Sequence, residues 1–222
     1  VNSNFFTYNR DMVHGDYFSQ VTSCEMGTIG RRRHTMNYLN NGFIVIGGIG
    51  KEKEVETIEK FQVQSKNWVV VLPKFPISRF DHTTVYYNDD LWVFGGKSKR
   101  YKDIPLFLKV NEHSGEIIKT STKEPCGRSG HSAVVYKNKM YIFGGSSQSK
   151  SLLNDLWSYD FDLNIWTCEK VKNDQIVKPR THHMSFVIGK QMFIVGGVTS
   201  SIISPTICID LDEMEASTVT DI

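Results

Sequence analysis

A pair of adjacent glycines recurs along the chain at spacings of 48, 49 and 52 residues and marks four copies of one unit. The pairs begin at Gly47, Gly95, Gly144 and Gly196. An Arg-x-x-His element precedes each pair, and its histidine always lies 13 residues before the first glycine. Chance does not produce one distance four times, so the sequence predicts an array of repeated structural units.

Each repeat predicts four short antiparallel β-strands. Between the histidine and the glycines, segments such as HTTVYYNDDLWVFGG (82–96) carry two strand-forming runs separated by turn residues, which is typical of a β-hairpin. A third strand is expected to carry Phe61, Val110, Tyr159 or Ile209. A fourth is expected seven residues later, at Trp68, Ile117 and Trp166, while the last repeat has no clear fourth strand. Four strands in about 50 residues predict the blade of a β-propeller.

The composition suits sheets that stack on one another. Apolar residues make up 40% of the chain and aromatic residues 12%, which excludes intrinsic disorder. A blade is a twisted sheet whose two faces both need cover, so this apolar surface is expected to lie between blades. A glycine pair that ends the second strand lets another backbone or a ring approach where a Cβ would clash.

The charge pattern argues against two classes of partner. The chain has 26 basic and 24 acidic side chains and a net charge of +2, whereas a nucleic-acid-binding domain shows a clustered basic excess. The longest apolar runs, such as FIVI at 43–46, are far shorter than the ~18 residues of a transmembrane helix. We therefore expect neither nucleic-acid binding nor membrane insertion.

The cysteines indicate a reducing compartment. Cys24, Cys126, Cys168 and Cys208 form no CxxC pair, which excludes a zinc ribbon and a thioredoxin motif. Four cysteines in 222 residues do not make a disulfide scaffold. Reduced thiols in a cytoplasmic or nuclear protein are the expectation, and the cytoplasm is the preferred location; one or two disulfide bonds remain the alternative.

The repeat resembles the kelch repeat. The resemblance rests on RSGHSAVVYKNKMYIFGG (128–145), NDLWSYDFDLNIW (154–166) and RFDHTTVYYNDDLWVFGG (79–96), and it covers residues 28–211. It implies a propeller like those of intracellular scaffold, polarity and small-GTPase-linked proteins. The second repeat departs from the kelch pattern, because Ile117 stands where the tryptophan is expected and Val110 where a tyrosine is usual.

The expected fold class is all-β, a kelch-type β-propeller with about four and a half four-stranded blades. We expect a partial blade at 1–26, blades at 27–75, 76–125 and 126–177, and a last, less complete blade at 178–222. FFTYNRD (5–11) and DYFSQV (16–21) resemble the third and fourth strands of the partial blade. Kelch propellers usually close with about five to seven blades, so the preferred hypothesis is an incomplete part of a larger ring. The alternative is a four-bladed ring in which the N-terminal strand completes the last blade.

The four Arg-x-x-His elements allow two interpretations. They could form a ring of histidines that binds a metal at the propeller axis. The preferred interpretation is that each arginine and histidine hydrogen-bonds neighbouring backbone where one blade meets the next, because buried polar groups are normally satisfied in that way. No metal or cofactor is therefore predicted. GGIGK at 47–51 is not a phosphate-binding loop, since Val45 and Glu52 occupy positions that require Gly and Ser or Thr.

Loop lengths point to one end of the blades as the recognition surface. The turn between the first two strands is uniform, whereas the segments after the glycines and between repeats vary in length. Variable loops on a rigid scaffold are where recognition normally occurs. We call this surface the variable rim and assign to it residues 49–56, 97–103, 146–154, 172–178 and 198–204. The candidate protein-binding residues are Lys99, Arg100, Tyr101, Gln148 and Lys150.

These expectations converge on a non-catalytic protein-interaction module within a larger scaffold or adaptor protein. It would bind a segment of a protein partner on the variable rim. The kelch resemblance is compatible with a ubiquitin-ligase adaptor, an actin-linked polarity scaffold or a small-GTPase regulator. The alternative function is an enzyme carried on the propeller, an oxidoreductase or another type with a metal or cofactor site, although no nucleophile elbow or HExxH motif is present.

Overall fold

A computed structural model of the chain describes residues 6–8, 18–20, 30–73, 78–100, 102–111, 114–120, 122–149, 151–200 and 205–219. The chain divides into two compact units, Val1–Ser78 and Arg79–Ile222. Regular structure in both is almost entirely β-strand. Within the described residues, one 3₁₀ turn at Asp174–Ile176 is the only helical element.

The first unit contains a two-stranded and a four-stranded antiparallel sheet. β1 (Phe6–Tyr8) pairs with β2 (Phe18–Gln20), in agreement with the N-terminal strand pair expected there. The four-stranded sheet, which we call blade 1, has its strands in chain order: β3 (Thr35–Leu39), β4 (Gly42–Ile46), β5 (Ile58–Gln62) and β6 (Asn67–Leu72).

The second unit contains three four-stranded antiparallel sheets, each again in chain order. Blade 2 consists of β7 (Thr83–Tyr87), β8 (Asp90–Phe94), β9 (Phe107–Val110) and β10 (Gly115–Ile117). Blade 3 consists of β11 (Ser132–Tyr136), β12 (Lys139–Gly145), β13 (Leu153–Asp160) and β14 (Ile165–Glu169). Blade 4 consists of β15 (Met184–Ile188), β16 (Gln191–Val195), β17 (Ile207–Asp210) and β18 (Glu215–Thr218). The predicted propeller-blade fold is confirmed.

The turns between first and second strands are as short as predicted. Asn40 and Asn41 connect β3 to β4 with φ values of 46° and 58°, and Asn88 and Asp89 connect β7 to β8 with 47° and 62°. Two successive positive φ values are typical of type I′ turns, whose twist matches that of the flanking strands. Asparagine and aspartate tolerate this conformation, which is why the uniform spacing was readable from sequence.

The last repeat does have a fourth strand, which corrects the expectation of an incomplete blade. β18 pairs with β17 so that Ala216 lies opposite Ile209, seven residues before it. The same spacing puts Trp68 opposite Phe61 in blade 1. The strand was not evident from the sequence because a buried alanine replaces the tryptophan that marks it elsewhere.

The position of the missing tryptophan in the second repeat was also predicted wrongly. Val110 pairs with Gly115, not with Ile117. Four residues separate this pair, whereas six separate Tyr159 from Trp166 in blade 3. The shorter turn shifts the register by two residues, so Gly115 takes the tryptophan position and Ile117 is 49% exposed.

Aromatic side chains fill the space between blades 2 and 3. Trp166 of blade 3 lies 5.3 Å from Phe94 and 5.2 Å from Phe107 of blade 2, measured between ring centroids. Trp92 and Tyr159 extend the same cluster, with centroids 5.6 Å apart. Burying each large apolar side chain stabilises the fold by about 1.5–3 kcal/mol, so the blades hold together mainly through this packing.

A second cluster joins blades 3 and 4. Val134 and Phe143 of blade 3 pack with Met192, Ile194 and Ile209 of blade 4, and all five side chains are buried. The predicted use of apolar surface between blades is therefore confirmed for the second unit.

In blades 2 and 3 the first glycine of the pair allows the following blade to approach closely. A Cβ on Gly95 would lie 2.5 Å from the carbonyl oxygen of Arg128 and 2.8 Å from Cε1 of His131, both in the next repeat. Gly196 has nearly the same backbone, with φ +66° against +68° for Gly95. No described atom lies within 4 Å of the Cβ position of Gly196. The two glycines therefore have nearly the same φ value, and they differ in whether atoms of another repeat lie beside the Cβ position.

Replacing these glycines separates the cost of packing from the cost of backbone strain. Both Gly95→Ala and Gly196→Ala force an alanine into the left-handed region, at about 1–2 kcal/mol. Only Gly95→Ala also overpacks a blade junction, which adds about 1–3 kcal/mol. Urea unfolding is expected to show a clearly larger loss for Gly95→Ala, with Gly196→Ala as the matched control. Equal losses in the two variants would contradict this account of the glycine pair.

Candidate functional site

The arginine of each Arg-x-x-His element bonds within its own blade. Its Nη1 donates to the carbonyl of the first glycine, 16 residues later, in every repeat. The four bonds are Arg31 to Gly47 at 3.3 Å, Arg79 to Gly95 at 3.0 Å, Arg128 to Gly144 at 3.1 Å and Arg180 to Gly196 at 3.1 Å. The predicted bonding of arginine to backbone is therefore confirmed, and the bond lies inside a blade rather than between two.

The arginine has a further hydrogen-bond acceptor in each repeat. Arg31 pairs with Glu59 at 2.7 Å, and Arg128 pairs with Asp155 through bonds of 2.7 and 2.9 Å. In blades 2 and 4 the second acceptor is a carbonyl, that of Leu106 at 3.4 Å for Arg79 and that of Pro205 at 3.2 Å for Arg180.

Burial lowers the pKa of Arg79 to about 9 and also lowers the pKa of Arg180, because it disfavours the charged form of each guanidinium group. Partial burial raises the pKa of Asp155, but the hydrogen bonds and charge of Arg128 outweigh it, so the pKa lies below its usual value.

The histidines of blades 3 and 4 each connect two blades. Nε2 of His131 and Oγ1 of Thr83 share a hydrogen bond of 2.8 Å from blade 3 to blade 2. Nε2 of His183 and Oγ of Ser132 share one of 2.8 Å from blade 4 to blade 3. In both cases the hydroxyl belongs to the residue that follows the preceding histidine. The prediction of a bond between blades is confirmed, but the partner is a side-chain hydroxyl and not the backbone.

The histidine rings are held in a neutral form by burial. Burial lowers the pKa of His131 well below its usual value, and the charge of Arg128 acts in the same direction. Burial likewise lowers the pKa of His183 to about 4, with Arg180 contributing. Since Nε2 already bonds a hydroxyl, these rings serve the blade junctions. Among the described residues no group of three or more His, Cys, Asp or Glu side chains is placed to hold a metal ion.

Backbone groups beside the histidines stack from blade to blade. The residue before the histidine has a positive φ in each repeat of the second unit, 56° at Asp81, 64° at Gly130 and 56° at His182. The Gly130 N–H donates to the Asp81 carbonyl at 2.9 Å, and the His182 N–H donates to the Gly130 carbonyl at 2.7 Å. This stack was not predicted, although turn-favouring residues at one position of the repeat are a sequence signal for it.

A small charged cluster lies on this stack. The carboxylate of Asp81 lies 3.5 Å from Nζ of Lys97 and 3.5 Å from Nε2 of His182. The Asp81 side chain is only 5% exposed, whereas the His182 side chain is 48% exposed. The cluster therefore brings one buried carboxylate and two accessible nitrogen groups to the start of the 97–103 segment.

Three segments of the variable rim contact one another in the second unit. The Gln148 N–H donates to the carboxylate of Asp103, which joins segments 146–154 and 97–103. The side-chain amide of Asn154 donates to the carbonyl of Val177 at 2.9 Å, which joins segments 146–154 and 172–178. These bonds connect three rim segments that are far apart in sequence.

The candidate binding residues divide into two groups. Lys99 and Arg100 are exposed in segment 97–103, and Gln148 is exposed in segment 146–154. Tyr101 and Lys150 lie outside the described residues. Of the described candidates, the structure ties Gln148 to the segment that carries Lys99 and Arg100.

A cleft of about 270 Å³ lies elsewhere, between β9, β10 and the β13–β14 hairpin. Trp92, Lys109, Ile117 and Phe161 are among the residues that line it. Nζ of Lys109 lies 5.7 Å from the Trp92 ring and pairs with Asp90 at 2.9 Å. Of the candidate binding residues that the structure describes, Lys99, Arg100 and Gln148, none lines this cleft.

The repeat geometry and a family comparison agree. The model of the KLHDC2/KLHL20/DRC7 Kelch-repeats domain matches residues 33–221. The chain therefore belongs to the kelch-repeat family, whose propellers are generally non-enzymatic interaction modules. Comparison with curated proteins gives no match.

Two further findings bear on the earlier expectations. In the described part of the chain, no helix is long and apolar enough to span a membrane. Cys126, Cys168 and Cys208 are free thiols, and Cys24 lies outside the described residues.

The buried histidines make stability depend on pH in a defined window. The pKa of His183 is about 4 in the folded protein and 6.5 as an ordinary histidine, so the unfolded chain binds the proton first as the pH falls. Stability is therefore fully present above pH 6.5 and is lost progressively down to about pH 4, by about 3 kcal/mol for this residue. Urea unfolding of the wild type and His183→Gln at several pH values is expected to show a flatter profile for the variant. Parallel profiles in this window would contradict the assignment.

Proposed function

We propose that this chain is a non-catalytic kelch propeller module that binds a segment of a protein partner on the variable rim. The observation that carries the proposal is the linkage of segments 97–103, 146–154 and 172–178 by Gln148–Asp103 and Asn154–Val177. Loops of unrelated sequence thus present one surface while each is anchored on a rigid blade. Such loops are where scaffold proteins place recognition.

The anchoring of these loops supports a binding role. Beyond the glycine pair, Lys97 bonds Phe80, and Ser146 bonds Ser129, each through two backbone hydrogen bonds of 2.9–3.0 Å. These bonds hold the base of each loop against the Arg-x-x-His element. Because the base of each loop is already ordered, binding a partner costs little conformational entropy there, which favours affinity.

The charge of the rim favours an acidic partner segment. Segment 97–103 carries Lys97, Lys99, Arg100 and Lys102 against one carboxylate, Asp103, which already accepts the Gln148 N–H. Opposite charges across an interface raise the association rate and orient the partner. The candidate contacts are Lys99, Arg100 and Gln148, with Tyr101 and Lys150 completing the set of binding residues.

The proposed setting is a larger multidomain scaffold or adaptor protein of the cytoplasm. Blades at 27–75, 76–125, 126–177 and 178–222, with a partial blade at 1–26, would form part of a longer ring. Free thiols at Cys126, Cys168 and Cys208 suit a reducing compartment. Neither nucleic acid nor a membrane is proposed as a partner, because the net charge is only +2.

Charge reversal on the rim tests the proposed surface. A library of unstructured peptides displayed on phage would be selected against the wild-type chain, and peptides rich in Asp and Glu are expected. The double variant Lys99→Glu/Arg100→Glu is expected to weaken their binding about tenfold or more without loss of folding, because exposed loop charges contribute little to stability.

The matched control reverses two lysines in the turns between first and second strands. Lys137 and Lys190 are 61% and 52% exposed and form surface ion pairs with Asp212 and Asp210, and Nζ of Lys137 also lies 4.9 Å from the centroid of the Tyr136 ring. Lys137→Glu/Lys190→Glu changes the net charge equally and is expected to leave peptide binding nearly unchanged. An equal loss of peptide binding in both double variants would show that binding depends on net charge alone. If neither variant loses peptide binding, segment 97–103 is not part of the binding surface.

A further inference from the structure

Blade 2 holds the Lys97 side chain in a defined position at the base of segment 97–103. The Lys97 backbone forms two hydrogen bonds of 3.0 Å with Phe80. Its Nζ lies 5.7 Å from the centroid of the Phe80 ring, which is within the range of a cation–π contact. The same Nζ lies 3.5 Å from the carboxylate of Asp81. Contacts with two successive residues therefore fix the place of this ammonium group.

The ammonium group is accessible, whereas the carboxylate that holds it is not. The Lys97 side chain is 32% exposed and the Asp81 side chain 5%. A lysine ammonium has three N–H donors, so an ion pair with one carboxylate oxygen leaves donors for a second acceptor. A carboxylate of a partner can thus reach Nζ of Lys97 while Asp81 stays covered by protein.

His182 of blade 4 borders the same group. Its Nε2 lies 3.5 Å from Oδ2 of Asp81, the oxygen that Lys97 also contacts. Its Nδ1 shares a hydrogen bond of 3.1 Å with Oγ1 of Thr181. The imidazole fits here because the residue beside it is Gly130, where a Cβ would lie 3.0 Å from the ring atom Cε1 of His182. Blades 2 and 4 thus both contribute to the surroundings of the Lys97 ammonium.

Asp81 has two opposite effects on an acidic partner. Its negative charge opposes binding, whereas its contact with Nζ orients Lys97 before the partner arrives. A cation that is already in position binds an anion with a smaller loss of conformational entropy than a mobile one. Replacing Asp81 therefore separates the two effects, because they change binding in opposite directions.

We infer that Lys97 anchors a carboxylate of the acidic partner segment and that Asp81 is the positioning residue for this anchor. The inference rests on the proposed function and adds Lys97 to the candidate contacts of the variable rim. The exposed ring of His182 forms the side of the anchoring site that belongs to blade 4.

The test measures the binding of the Asp- and Glu-rich peptides selected on the wild-type chain. Lys97→Met removes the charge and keeps an unbranched side chain, and it should raise the dissociation constant about tenfold. Asp81→Asn keeps the shape of the side chain, and asparagine tolerates the φ of 56° at this position. Although Asp81→Asn makes the chain more positive, it should weaken binding about threefold or more, because Lys97 is no longer held in place.

A double-mutant cycle identifies the route by which Asp81 acts. In the Lys97→Met background, Asp81→Asn should no longer weaken peptide binding, since the residue that it positions is absent. A purely structural role of Asp81 would weaken binding equally in both backgrounds.

Blade 2 supplies the matched control in a second lysine with the same kind of contacts. Nζ of Lys109 lies 5.7 Å from the Trp92 ring and 2.9 Å from Asp90, and the Lys109 side chain is also 32% exposed. Lys109 lines the cleft beside the β13–β14 hairpin and is not a residue of the variable rim. Lys109→Met and Asp90→Asn should leave peptide binding nearly unchanged, and thermal unfolding of every variant checks that the fold is kept.

The outcomes separate this inference from the proposed function. Acidic peptides that bind the wild type and Lys97→Met equally well overturn the anchor and leave the proposed function standing. Tighter binding by Asp81→Asn overturns the positioning role. If no Asp- or Glu-rich peptide binds the wild type, the proposed acidic partner is wrong and the anchor with it. Should Asp81→Asn lose its fold, Lys97→Met compared with Lys109→Met still decides the anchor.

Discussion

Each repeat buries a guanidinium group beside the carbonyl of a glycine 16 residues later, and the geometry of the blades depends on this contact. A buried cation is costly unless hydrogen bonds and counter-charge replace its water. Asp155 supplies the counter-charge to Arg128, and the Arg79 guanidinium donates to the carbonyls of Gly95 and Leu106. The carbonyl of Arg128 in turn accepts the Gly96 N–H of the preceding blade. One residue thus closes its own blade and joins it to its neighbour.

The histidine completes the junction that the arginine begins. Its ring packs edge-on against a phenylalanine of the preceding blade, as His131 does on Phe94 at 5.5 Å, while Nε2 reaches a hydroxyl. Because this polar bond is enclosed by aromatic packing, the blades meet in a defined register and the loop bases do not shift. Recognition can then be assigned to loops of variable length without loss of the fold, which is the division of roles expected of a repeat scaffold.

The blades were predicted well because the sequence signals for them are local. Turn residues, alternating apolar residues and the glycine pair act within a hairpin and do not depend on distant contacts. The prediction from sequence failed where it relied on a tryptophan to mark a position in the fourth strand. The fourth strand of blade 4 lacks its tryptophan at Ala216, and the two-residue-shorter turn in blade 2 moves the tryptophan position to Gly115. In both places strand pairing, and not residue identity, decides the register.

The candidate site was predictable only in outline. Variation in loop length indicated the variable rim, and Lys99, Arg100 and Gln148 are exposed there as expected. The linkage of Gln148 to Asp103, and of Asn154 to Val177, joins residues 45 and 23 positions apart. No local pattern encodes such pairs, because they form only when adjacent blades pack.

By itself, the sequence determined the repeat, the strands of most blades and the kelch family, since a fixed spacing of glycine, arginine and histidine is a local chemical requirement. The tertiary structure alone decided the partners of those residues. It placed Nε2 of His131 and of His183 against hydroxyl groups of the preceding blade. The physical reason is that these side chains are buried and hydrogen-bonded by contacts between two neighbouring blades. Such contacts form only after the chain has folded.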